Sequence, residues 1–137
     1  MFFMLIEYVN IYNNLVNLSR NKNLFSIFTD KDTFSDRILI LLFHFAFFLK
    51  ANKNTVNKQE LQNCFDFIVR QLELSIREIG YGDVTVNKKM KNYINILYSI
   101  IDKISEWEKL ENKKKIEIFA DYLELTTNLD FYLDYFE

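Results

Sequence analysis

The chain has 137 residues, half of them hydrophobic and 17% aromatic, a composition that excludes a disordered protein and suffices for one domain with a proper core. Proline is absent and glycine occurs twice, which argues against β-sandwiches and barrels, because those folds need many tight turns built on such residues. The net charge of −2 lacks the strongly basic balance expected of a nucleic-acid-binding domain.

Apolar residues at Leu5, Ile6, Val9, Tyr12, Leu15, Val16 and Leu18 keep helical spacing and predict a first helix over 3–19. The polar stretch 21–32 reads as a linker, with room for one turn over Leu24–Phe28. Thr33 followed by Asp36 resembles a helix start, because the hydroxyl can accept a bond from a free backbone N–H. The second helix then runs to about Ala51. It contains the longest apolar run, "ILILLFHFAFFLK" (38–50), which is shorter than the roughly 20 residues of a membrane span. Its all-round hydrophobicity instead predicts a central position inside a bundle.

Asn57, with Glu60 three residues on, predicts the next cap. Leu61, Cys64, Phe65, Ile68, Leu72, Ile76 and Ile79 then mark one face of a third helix that stops at Gly80. A fourth helix is expected from about Val86, with Met90, Tyr93, Ile94, Leu97, Ile101, Ile104 and Trp107 inward, and with Asp83 or Thr85 as its cap. Gly80 and Gly82 would both serve sharp turns of the corner between these helices. "KLENKKK" (109–115) reads as a polar break. The segment 116–137 reads as helical, interrupted at "TTN" (126–128), and holds six acids and no base. The expected product is an all-α, single-domain bundle of five or six helices.

Templates for chemistry do not match. His44 is the sole histidine, in an apolar helix with no second ligand at metal spacing; it reads as a core histidine bonded to a neighbouring backbone or carboxylate group. Cys64, the sole cysteine, reads as a buried small residue in a reducing compartment. "GYGD" (80–83) is preceded by helix and lacks the third glycine of a dinucleotide fingerprint and the Gly-Lys-Ser/Thr of a P-loop. Lys88, Lys89 and Lys91 open a helix whose dipole is positive at that end, a small misfit that points to an anionic contact or to a solvated face. Neither a catalytic residue, a metal nor a cofactor is expected.

The corner is more specific than a charged turn. "LSIREIGYGDVTVNKKMK" (74–91) resembles the signature "LREMGVGDLxVxKxMK" of the ubiquinol–cytochrome c chaperone family, with Tyr81 in place of a small aliphatic residue. "FSDRILILLFHFAFFLK" (34–50) is similar to a second family stretch, with Asp36, Arg37 and His44 in register. The resemblance covers about residues 20–110 of the single domain. It implies a non-catalytic assembly factor of respiratory complex III that binds newly made cytochrome b. A small co-chaperone, the ribosome and peripheral membrane association are further expectations it carries. The location implied is the cytoplasmic face of a bacterial inner membrane, or the matrix side in mitochondria. The residues expected to meet a partner are Asp36, Arg37, His44, Arg77, Glu78, Gly80, Gly82, Asp83, Lys88, Lys89 and Lys91; Arg77 and Asp83 could equally just tie the corner. The alternative function is a ribosome- or RNA-associated helical module, with no role in binding DNA.

Overall fold

The computed structural model describes residues 2–19, 34–54, 57–123 and 129–136. They form six helices, α1 (Phe2–Ser19), α2 (Phe34–Asn52), α3 (Lys58–Glu78), α4 (Asp83–Ile104), α5 (Asn112–Leu123) and α6 (Leu129–Phe136), with a 3-10 turn at Trp107–Lys109. No strand occurs among the described residues. The protein is an all-α bundle. The expected linker turn at 24–28, the Thr33 cap and the break at 126–128 lie outside the described residues.

Helix α2 is the axis of the bundle, as its unbroken apolar sequence requires. Ile38 and every residue from Ile40 to Ala46 are buried, and α2 packs against α1, α4 and α5. Burying a large aliphatic or aromatic side chain is worth about 1.5–3 kcal/mol, so this helix carries much of the hydrophobic stabilisation. Helices α3 and α4 are amphipathic and offer single stripes, Cys64, Ile68, Leu72 and Ile76 on one and Val86, Met90, Tyr93, Leu97, Ile100 and Ile104 on the other. Leu41, Leu42 and Phe45 face Ile68, Leu72, Tyr93 and Leu97 around a small apolar gap. Further along, Leu49 lies with Leu61, Ile101 and Ser105. Residue numbers thus rise together on α2 and α4 and fall on α3, so α2 and α4 run parallel with α3 antiparallel to both. Helix α1 crosses α3, where the Tyr8 hydroxyl donates to the Glu60 carbonyl at 3.3 Å and Tyr12 bonds Ser75 at 3.2 Å.

The C-terminal helices are held by aromatic rings. Helix α6 has eight residues, too few to persist alone in water. Phe136 meets Phe43, Phe47 and Phe119 at ring-centroid distances of 5.9, 5.0 and 5.5 Å, and Leu133 is buried beside them. Aromatic pairs of this kind add about 0.5–1.5 kcal/mol beyond area burial.

Five details depart from the sequence expectation, the first being that α4 ends at Ile104, so that Trp107, though buried, falls in the 3-10 turn. Helix α4 begins at Asp83, and its cap is Gly82, which makes no side-chain cap bond; the Asp83 carboxylate is drawn instead to Arg77. Gly82 itself has φ −72 and ψ 165, an extended conformation open to other residues, so only Gly80 uses glycine's freedom. Ile79, counted on the inward face, is 48% exposed because α3 has already ended at Glu78. The polar break is shorter than 109–115, since Lys113, Lys114 and Lys115 lie in α5. Lys115 is buried there, with its Nζ 4.9 Å from the centre of the Trp107 ring, so its charge is faced by the ring's negative π-surface.

Candidate partner-binding corner

The turn between α3 and α4 is built from the chain's two glycines outward. The last turn of α3 closes with the Ile79 N–H donating to the Ile76 carbonyl at 3.2 Å and the Gly80 N–H to the Arg77 carbonyl at 3.0 Å. Gly80 then adopts φ +104. A Cβ placed there would meet nothing within 4 Å, so the demand for glycine is one of backbone conformation and not of space. Tyr81 and Gly82 lead directly into α4, whose first helical bond runs from the Val86 N–H to the Gly82 carbonyl at 3.0 Å.

Arg77 spans this turn. Its Nη1 donates to Asp83 Oδ1 at 2.5 Å and its Nη2 to Glu73 Oε1 at 3.3 Å, joining the last turns of α3 to the first residue of α4. The bond to Asp83, followed by that to Glu73, holds the guanidinium above its usual pKa. Asp83 also sits at the positive end of the α4 dipole, where an anion is favoured. Its side chain is 84% exposed, so the pair is solvent-screened and mainly sets geometry. Lys89 closes the far side, its Nζ 4.8 Å from the centre of the Tyr81 ring. Glu78, Lys88 and Lys91 are exposed around this frame.

Apolar side chains are exposed alongside these charged ones. Leu74, Ile79, Tyr81 and Val84 are all exposed, Val84 by 71%. Four of the large exposed hydrophobic side chains among the described residues thus crowd into eleven consecutive positions. Reading the sequence for charge and glycine missed them. A signal was present: Val84 lies off the stripe Val86, Met90, Tyr93 and Leu97, so the helical period already turns it outward. Solvent-facing aromatic and aliphatic side chains in a polar frame are the usual makings of a protein contact.

The remaining expected site residues divide. Because α2 runs parallel to α4 in the register given above, Arg37, four residues before Leu41, lies at the level of Lys89, four before Tyr93. Arg37 is exposed there, at the same end of the bundle as the corner. Asp36 belongs to the same first turn of α2. His44, two turns further on, is turned into the core. Its Nδ1 lies 2.8 Å from the Ile40 carbonyl and its Nε2 2.7 Å from the Tyr135 hydroxyl. A carbonyl only accepts, so Nδ1 carries the proton and Nε2 accepts from the tyrosine. Burial lowers the imidazole pKa, opposed by the Ile40 bond, and keeps the ring neutral at pH 7. The core-histidine reading therefore describes its surroundings, with a tyrosine as the second partner.

No group of three or more His, Cys, Asp or Glu side chains among the described residues is placed to hold a metal ion. None of the described helices is long and apolar enough to cross a membrane. A family model described as ubiquinol-cytochrome C chaperone matches residues 26–109, which take in α2, α3, the corner and α4. No match is found among curated proteins or among solved structures. The family match spans more than half of the 137 residues and contains both motifs and the whole Arg77–Asp83 turn; the chain belongs to the ubiquinol-cytochrome C chaperone family.

Proposed function

We propose that this protein is a non-catalytic chaperone in the assembly of ubiquinol–cytochrome c reductase, and that its client is newly made cytochrome b. The family supports an assembly role in complex III. The observation that carries the site is the corner itself: exposed Leu74, Ile79, Tyr81 and Val84 within a frame of Arg77, Glu78, Asp83, Lys88 and Lys91. An assembly factor must hold apolar client surface and then release it. A small apolar patch with a charged, salt-sensitive rim suits reversible contact, the rim tuning encounter and the apolar anchors supplying affinity. Arg37 extends the rim from α2. A soluble partner subunit or the ribosome could meet the same end of the bundle while the client is being made, at a membrane surface.

The test is affinity purification of the tagged protein from detergent-solubilised membranes, with co-purifying proteins identified by mass spectrometry. Enrichment of cytochrome b without later complex III subunits is the expected result. Ribosomal proteins alone would favour the RNA- or ribosome-bound alternative, whose binding should fall steeply with salt. The paired exchange Arg77→Glu with Asp83→Lys tests the site. It preserves attraction across the turn but reverses the charges a client would meet. Loss of client with the fold intact is expected; full client recovery would reduce Arg77 and Asp83 to a structural tie.

A further inference from the structure

The opposite end of the bundle holds a cavity that the chaperone reading does not use. Helices α2, α3 and α4 part there to leave a pocket of about 700 Å³, lined by Leu49, Leu61, Phe65, Tyr98 and Ile101 on its floor. The basic groups gather at one end, Lys50 in the last turn of α2, Lys53 and Asn54 just beyond it and Lys58 at the start of α3, while Gln62 and Ser105 add polar edges along the groove. The volume lies within the range of about 300–1,000 Å³ typical of small-molecule sites.

The arrangement is directional. Lys58, Leu61 and Phe65 follow one another along α3, as Ser105, Ile101 and Tyr98 do along α4. Each series covers seven residue steps, or about 10 Å of helix rise. At the other end of the groove Phe65 and Tyr98 stack across the two helices, with ring centroids 5.7 Å apart and planes 21° from parallel. The pocket lining goes no deeper on either helix. A basic end of the groove therefore gives way to an end bridged by two rings. Tyr98 remains 54% exposed, so its ring is open to solvent along the groove. Lys50 is committed to Glu108, at 2.8 and 3.0 Å to its two oxygens. Neither Lys53 nor Lys58 forms an ion pair among the described residues.

We propose that this pocket binds an anionic single-chain amphiphile, with its acyl chain against Leu61, Phe65, Tyr98 and Ile101 and its head group at Lys53 and Lys58. Charge selects the head, because two uncompensated ammonium groups stand at the mouth. Polarity selects the tail, because Leu61, Ile101 and the ring pair continue the groove from the lysines. This reading is independent of the client and of the corner at the other end of the bundle.

The test is calorimetric titration of the whole protein with dodecanoate below its micelle concentration. Dodecyl maltoside supplies the same tail without charge, and inorganic phosphate supplies charge without a tail. Saturable dodecanoate binding, with neither control binding comparably, is expected. Lys53→Glu with Lys58→Glu should weaken it about tenfold, the order expected from losing two exposed charge contacts. Ile101→Glu should abolish it, and Tyr98→Ala should weaken it without disturbing the fold by circular dichroism, since that ring is already half in solvent. No binding of dodecanoate, equal binding of dodecyl maltoside, or binding indifferent to the lysine and Tyr98 replacements would each overturn the proposal. Binding only to phosphatidylglycerol vesicles, without saturation by the monomeric probe, would place the lysines at a membrane surface and would also overturn it.

Discussion

Tyr135→Phe removes one oxygen and isolates a single interaction. His44 Nδ1–H is spent on the Ile40 carbonyl, so its Nε2 lone pair depends on the Tyr135 hydroxyl 2.7 Å away. The phenylalanine ring would keep the edge contact to His44, whose centroid lies 5.4 Å from that of Tyr135, and would leave the nitrogen unpaired. A net hydrogen bond is worth about 0.5–1.5 kcal/mol, and a stranded buried acceptor costs up to about 3. His44 is buried but Tyr135 is only half-buried, so water can reach the vacated position and the loss should be about 1 kcal/mol. In urea this moves the midpoint down by about 0.5 M for a slope near 2 kcal/mol/M. In thermal unfolding it lowers Tm by about 2–4 °C. Trp107, the sole tryptophan, is buried against Phe47 and Phe119 and reports unfolding by fluorescence. Because His44 is also the sole histidine, its two ring nitrogens can be assigned by 15N NMR without ambiguity. A protonated Nε2 at pH 7.5, or an unchanged midpoint in Tyr135→Phe, would refute the hydrogen-bond scheme.

Other perturbations separate the remaining forces. Burial lowers the His44 pKa below 6.5 in the folded protein, so as pH falls through 6.5 the unfolded chain takes up its proton first. Stability is full above that value and should decline until the folded pKa is passed; urea titrations between pH 7.5 and 5.5 should lose this slope in His44→Leu. Gly80→Ala should cost about 1–2 kcal/mol because φ is +104 with open space around the Cβ position, whereas Gly82→Ala should cost clearly less, since its φ of −72 suits alanine and only the N-cap preference for glycine is lost; equal losses at both sites in denaturant melts would contradict the turn geometry. Phe43→Ala empties a fully buried position against Phe119, Tyr122 and Phe136 and should cost about 3–5 kcal/mol, with α6 amides losing hydrogen-exchange protection. Val84→Glu, at the most exposed apolar residue of the corner, should leave Tm within a degree or two yet weaken client capture in the membrane pulldown; unaltered capture would remove the apolar patch from the site.

The helices were legible in the sequence because their causes are local. Apolar residues three and four apart, the absence of proline, and Asn57, whose Oδ1 accepts from the Gln59 N–H at 2.7 Å, act within a few residues of one another. Gly80 ends α3 for an equally local reason, since a positive φ is a property of one residue. The continuous apolar run of α2 likewise announced a central helix, there being no polar face to turn outward. The family signature was readable for the same reason, being contiguous.

Partnerships between helices had no such signal. Nothing near His44 names Tyr135 as its partner 91 residues away, because that contact exists only once α6 has docked on α2. Lys115 looks like one of three solvated lysines until packing sets it over Trp107. Asp83 could cap α4 by its residue type, but Arg77 reaches it first across the turn. The basic-mouthed pocket is assembled from residues 49 to 105 on three helices and corresponds to no stretch of sequence. Backbone conformation follows from neighbours along the chain; side-chain partners and cavities follow from the register in which the helices pack.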